Sequence, residues 1–237
     1  WLKLEPCLRR GRSRGEMQLS VVRRAWRDAA VMLLLGVTVG LPTTVLPALQ
    51  EAAFAQPFAV AGVSVGVKGL LNTALAPAVG ARADRLGGRK RLLVASLAIL
   101  VAPFLAIELA SRALGRADAP GVVWSFTLAD TLLGLSSVAM SLCFSAVPER
   151  LHDDDASLTA GYSLCNFALS TGVGMGAALG ALGDFAACGR CGMLVAAANV
   201  AFALLLVPGG LGDAAPAREL PAAAGAGAAD RQDVMAL

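Results

Sequence analysis

Histidine is almost missing from this chain of 237 residues, which carries only His152. A single imidazole nearly excludes a His-rich metal site or a His-based catalytic triad. Charge is scarce as well. Only 16% of residues are Asp, Glu, Lys or Arg, against about 25% in soluble globular domains. The net charge of +3 is too small and too localised to imply a nucleic-acid partner. No paired catalytic carboxylates, Ser/His arrangement or metal-ligand cluster is evident. The reading is therefore a protein that is not an enzyme and needs no cofactor. What is present instead is apolar: 57% of the residues are hydrophobic and mean hydropathy is +0.67. That balance belongs to a polytopic membrane protein.

A spanning helix needs about 20 mostly apolar residues. Six runs qualify: 29–49, 58–79, 92–109, 122–147, 158–182 and 191–207. The last is short but spans with snorkelling flanks. In hydrocarbon the backbone must satisfy its own hydrogen bonds, so these runs predict helices and an all-α membrane protein. Pro42, Pro47, Pro77 and Pro103 fall inside them, as bundle packing tolerates.

Three regions follow. Residues 1–28 form a basic arm, 29–207 a six-helix transmembrane bundle, and 208–237 an Ala/Gly/Pro-rich tail that cannot bury a core. The chain begins at Trp1, which reads as a fragment, a processed product or an imperfect gene model, with Met17 a plausible start. With the N-terminus inside, sixteen Lys/Arg lie on the inner side and three, Arg112, Arg116 and Arg190, on the outer. The positive-inside rule then makes both termini cytoplasmic. Plasma membrane and endomembrane both stay open.

The stretch 80–93, GARADRLGGRKRLL, has five Lys/Arg among fourteen residues and lies between the second and third apolar runs. Gly80 is read as ending helix two, where a missing side chain allows close packing. Gly87 and Gly88 permit a tight reversal. Asp84 suits the positive end of helix three, whereas Arg89, Lys90 and Arg91 oppose that dipole. Retention on the inner side and contact with lipid phosphate account for them.

This loop resembles the signature between the second and third helices of the major facilitator superfamily, with Gly80, Asp84, Arg85, Gly87, Arg89 and Lys90 fitting the pattern. The wider stretch 65–90, GLPTTVLPAL in helix one, and the frame from Phe144 to Gly161 are similar to the hippocampus-abundant-transcript-like branch, relatives of tetracycline:proton antiporters. The resemblance covers about residues 30–207. It implies the N-terminal six-helix half of a transporter, a 3+3 inverted repeat, and a conformational latch in which Glu149, after helix four, partners the loop. NTALAPAVG (72–80) and NFALSTGVG (166–174) agree at five of nine positions, as such a repeat expects. The sequence departs from the family at Ala156, where an Arg is usual, and in having no Pro in helix five. The Arg common in helix four of proton-coupled members is also absent.

Charges inside membrane helices are costly and usually face the bundle interior or a cavity. Lys68 in helix two and Asp130 in helix four lie at similar depths, so a Lys68–Asp130 pair lining a central cavity is expected, as is a purely structural pair. Asn72, one turn from Lys68, shares its face. Asn166 is its counterpart in the repeat and a further cavity candidate. Glu108 reads as interfacial. Gly172, Gly176 and Gly180 are spaced for close helix approach. Cys188 and Cys191 form a CxxC in an outer loop, read as unpaired thiols; Cys143 and Cys165 read as packing residues. Two functions compete. One is a secondary transporter of a small organic solute, working by alternating access with a second six-helix half or a homo-oligomer. The other is a non-transporting truncated paralogue that scaffolds or regulates a membrane partner.

Overall fold

The structure is a computed structural model that describes residues 14–86, 89–113, 130–151 and 155–207. Its helices are α1 (Arg14–Ala53), α2 (Pro57–Leu86), α3 (Arg89–Ile99), α4 (Val101–Ala113), α5 (Ser136–Arg150), α6 (Asp155–Leu182) and α7 (Phe185–Leu206). No strand occurs among the described residues. Six helical stretches are long and apolar enough to cross a membrane: Leu19–Ala52, Pro57–Ala83, Arg89–Arg112, Asp130–Pro148, Asp155–Leu182 and Phe185–Leu206. These six spans are the inventory of a multi-pass membrane protein. Proline opens α2 at its first position, where its missing N–H costs no hydrogen bond.

The third span is broken between α3 and α4. Pro103 has no N–H to offer the carbonyl of Ile99, and the Leu100 N–H bonds Leu97 O at 3.1 Å instead. The fourth span begins, within the described residues, with a helical turn over 130–133 and is broken before α5.

Two helix starts differ from the sequence expectation. The first helix starts at Arg14, not at 29. Its early turns have something to bury: Val21 and Ala25, one turn apart, are almost fully covered. Trp26 meets Phe202 of α7 edge-on at 6.1 Å. Half of the supposed arm is thus bundle. The sixth span starts at Phe185, because Asp184 caps it by accepting the Ala187 N–H at 2.5 Å. Cys188 and Cys191 therefore sit in a helix rather than a loop. Both are free thiols, Cys188 buried and Cys191 exposed.

Helix α1 lies along α6 for much of its length, and glycine explains how. A Cβ at Gly172, Gly176 or Gly180 would run into the α1 carbonyls of Leu33, Val37 and Leu41. In return, a Cβ at Gly36 or Gly40 would meet the backbone of Leu169 and Val173. Small residues on both helices bring the backbones together where no hydrophobic effect separates protein from lipid. α7 packs on α4 in the same way, with Gly189 and Gly192 fitting around Glu108 and Phe104. Two apolar clusters fill the bundle. One joins Met32, Leu35, Leu97, Val147, Leu151 and Val207. The other joins Leu41, Val45, Phe104, Ile107 and Leu133. α2 is the least covered element. Only 6% of its apolar window is buried, and Phe58, Val63, Val65 and Leu70 are exposed.

Candidate functional site

The seam between α2 and the fourth span collects polar groups within apolar stretches. Ser64, Lys68 and Asn72 recur every four residues, so they form one stripe on α2. The stripe faces the fourth span. Lys68 Nζ lies 2.6 Å from Asp130 Oδ1. The Ser64 hydroxyl donates to the other carboxylate oxygen of Asp130. Two turns along, Ser137 Oγ donates to Asn72 Oδ1 at 2.5 Å. Asp130 is sealed, with 3% of its side chain exposed, whereas the Lys68 side chain keeps 24%. The carboxylate is fixed and the ammonium retains an open side. Lys68 stands at the centre of the apolar run 58–79, and Asp130 one turn from the centre of 122–147.

The backbone beside this pair is irregular. Gly134 N–H bonds Thr131 O, Leu135 N–H bonds Leu132 O, and Val138 N–H bonds Leu135 O, all at 3.0 Å. These are three-residue steps of the 3₁₀ type, a local tightening that often marks a hinge in mid-helix. Gly134 is also where Lys68 passes: a Cβ there would sit 3.2 Å from Lys68 Cβ and Cγ. The break and the lysine share one place. Further along the seam, a crevice of about 210 Å³ opens among Val79, Gly80, Ala83, Val138, Ser141 and Ser145.

Gly80 does not play the part its sequence position implies. α2 runs on to Leu86, and a Cβ at Gly80 would meet open space. The remaining loop residues divide. Arg89 Nη1 donates to Ser145 O near the end of α5 at 3.3 Å. Lys90 Nζ donates to Leu204 O in the last turn of α7 at 2.8 Å. Each cation meets carbonyls at the negative end of a neighbouring helix. This supplies a reason for their position at the start of α3 that the loop sequence did not reveal. Gly87 and the side chains of Asp84, Arg85 and Glu149 lie outside the described residues. Asn166 is exposed on α6, outside the seam.

Two ion pairs escaped the sequence reading. Arg150 Nη1 lies 2.6 Å from Asp28 Oδ2, both largely buried, across α5 and α1. The contact is close but poorly aligned, so Asp28 Oδ2 still lacks a well-formed hydrogen bond. By sequence Asp28 falls in the basic arm 1–28 and Arg150 among the inner-side cations. Glu108, taken as interfacial, is buried against α7 and pairs with Arg112 one turn on. The i, i+4 spacing of Glu108 and Arg112 was the available signal. No group of three His, Cys, Asp or Glu able to hold a metal occurs among the described residues. No family model, curated protein or solved structure matches the chain.

Proposed function

We propose that the chain is a secondary transporter of a small organic solute, of major facilitator type, in which the seam between α2 and the fourth span lines the solute path. The observation that carries this reading is the Lys68–Asp130 pair. Ionisable groups at mid-membrane depth are rare and mark substrate or proton routes by default. The broken backbone at Gly134 adds to it, since transporters place their sites at interrupted helices near the midplane.

The neighbour relations of the spans support the 3+3 architecture. Exchange of spans one, two and three with four, five and six turns the pair one–five into four–two. It likewise turns one–six into four–three and one–two into four–five. Pairs three–six and one–four map onto themselves. All of these pairs are in contact; the exception to the exchange is two–three, which touches while its image five–six is at most marginal. One–five is far more extensive than four–two, as the exposed α2 requires. Arg89 and Lys90 bind the start of the third span to the ends of the fourth and sixth, which is where a latch between the two triplets belongs. Six helices provide one wall of a cavity, so a second half or second copy completes the path.

The second reading, a non-transporting membrane partner, draws on the bare apolar face of α2. Reconstituted vesicles separate the two. Uptake of a solute panel is measured with and without a pH gradient, using protein shown to be inserted and folded. Transport predicts at least one solute that enters with wild type and not with Lys68→Met/Asp130→Leu. Inserted, folded protein that moves nothing favours the partner role. Undiminished uptake by the double variant removes the seam from the path.

A further inference from the structure

The two members of the seam pair are not equally accessible. Asp130 is closed off, and its two oxygens are taken up by the Ser64 hydroxyl and the Lys68 ammonium, one each. Lys68 keeps 24% of its side chain open. An ammonium has three N–H donors and no acceptor, and Asp130 is the one polar partner of Lys68 among the described residues. Donors are therefore left over on the accessible side, and the seam's carboxylate lies behind them. Asn72, one turn along the same stripe, adds to this. Its carbonyl oxygen takes the Ser137 proton, which leaves its NH2 group as the unused end. Residues 122–129, which lead into Asp130, contain no ionisable side chain, so that segment supplies no further charge.

The lysine also has room to turn. Its stem passes over Gly134, where a Cβ would sit 3.2 Å from Lys68 Cβ and Cγ. A Cβ at Gly66 or Gly69, its neighbours in the chain, would meet nothing within 4 Å. Val65, one turn before Lys68, is exposed and offers an apolar surface. Lys68 is the only Lys or Arg in the apolar runs 58–79 and 122–147, and one cation matches one negative charge. A phosphate or a dicarboxylate brings two, and phosphate is better met by the planar fork of Arg. A cationic solute meets the ammonium first and is repelled. A zwitterion would have to set its own ammonium on Asp130, which is sealed.

We infer that the solute of this seam is an organic monocarboxylate. Its carboxylate binds the open side of Lys68, and its apolar body lies along α2 beside Val65. This rests on the transport reading of the same site and adds to it the charge and the group that the seam recognises. Asp130 is the competitor: it holds the ammonium in place and shares it with the incoming carboxylate.

The test uses the full chain purified in a neutral detergent. Two sets of probes share a body and differ in the head group: benzoate, benzamide and benzylamine, and hexanoate, hexanamide and hexylamine. Phenylalanine and phenyl phosphate are added, and binding is read by saturation-transfer NMR. The expected result is saturable binding of at least one carboxylate, about tenfold or more tighter than its amide, its amine, the zwitterion and the phosphate, the step that one charge-assisted hydrogen bond gives. Asp130→Asn removes the competing charge, so the carboxylate should bind at least about threefold tighter; a lysine serving only as a structural bolt gives no such gain. Lys68→Met/Asp130→Leu should abolish the preference for carboxylate, and it serves if Lys68→Met alone does not fold. Carboxylates bound no tighter than their amides overturn the inference, as does a preference that survives the double variant. Uptake into vesicles, with protein-free vesicles as the blank, separates the two readings. A carboxylate bound through Lys68 but not taken up supports the site and removes transport. Lys68-dependent uptake of an amine or amide, with no carboxylate bound, keeps transport and overturns the inference.

Discussion

Removing one partner of the Lys68–Asp130 pair should cost far more than removing both. Lys68→Met leaves the Asp130 carboxylate 3% exposed, with the Ser64 hydroxyl as its remaining described partner. Breaking a buried pair in this way costs about 3–5 kcal/mol. Asp130→Leu leaves an ammonium whose side chain is 24% exposed, and a lone Lys at mid-membrane depth costs about 2.5–3.5 kcal/mol on insertion scales. Partial access to the open side puts this variant at or below the lower end. The double variant replaces an ion pair by apolar side chains of similar volume, which is often neutral or stabilising by about 1–4 kcal/mol. The coupling energy is then at least about 2 kcal/mol. Unfolding titrations of the four proteins in mixed micelles measure it. A double variant whose loss equals the sum of the single losses would refute the pairing. Transport by the same proteins then separates roles: a stable double variant without uptake places the charges in the path, and one with full uptake makes them a structural bolt.

Three further outcomes are expected. Gly176→Leu, which must push α6 away from the Val37 carbonyl, should lower stability by about 1–3 kcal/mol or more as an overpacked contact; Gly62→Leu, built into open space on α2, should change it by less than about 0.5 kcal/mol, and equal effects would contradict the packing. Arg89→Gln/Lys90→Gln removes the side chains that reach Ser145 O and Leu204 O, so hydrogen exchange in the last turn of α7 should quicken while that of α6 stays unchanged. Maleimide should label Cys191 in the folded protein and reach Cys143, Cys165 and Cys188 only after denaturation, in line with one exposed and three buried free thiols; a Cys7→Ser background keeps the outcome unambiguous.

Much of this bundle was legible because a membrane simplifies the sequence code. Backbone groups must be satisfied within each segment, so a run of apolar residues is a helix and its length is a span. The Gly172–Gly176–Gly180 ladder was legible for the same reason: in lipid, small side chains are the means of approach. Its partner, Gly36 with Gly40, has the same four-residue spacing but was not singled out. The match between two ladders is a tertiary fact. The Lys68–Asp130 pair was within reach because depth can be counted along a helix of known rise. Depth fixes only one coordinate, however. Asn166 shares the repeat register of Asn72, yet it faces outward on α6, because azimuth depends on which helices are neighbours. The α1 start failed for a related reason. Charge density from Arg9 to Arg27 outweighed the periodicity of Val21 and Ala25, although cationic side chains on one face leave the other free to pack. That misreading also hid Asp28, whose burial follows only once the arm is a helix. At the seam, by contrast, Lys68 and Asp130 meet at 2.6 Å, because there the azimuths match as well as the depths.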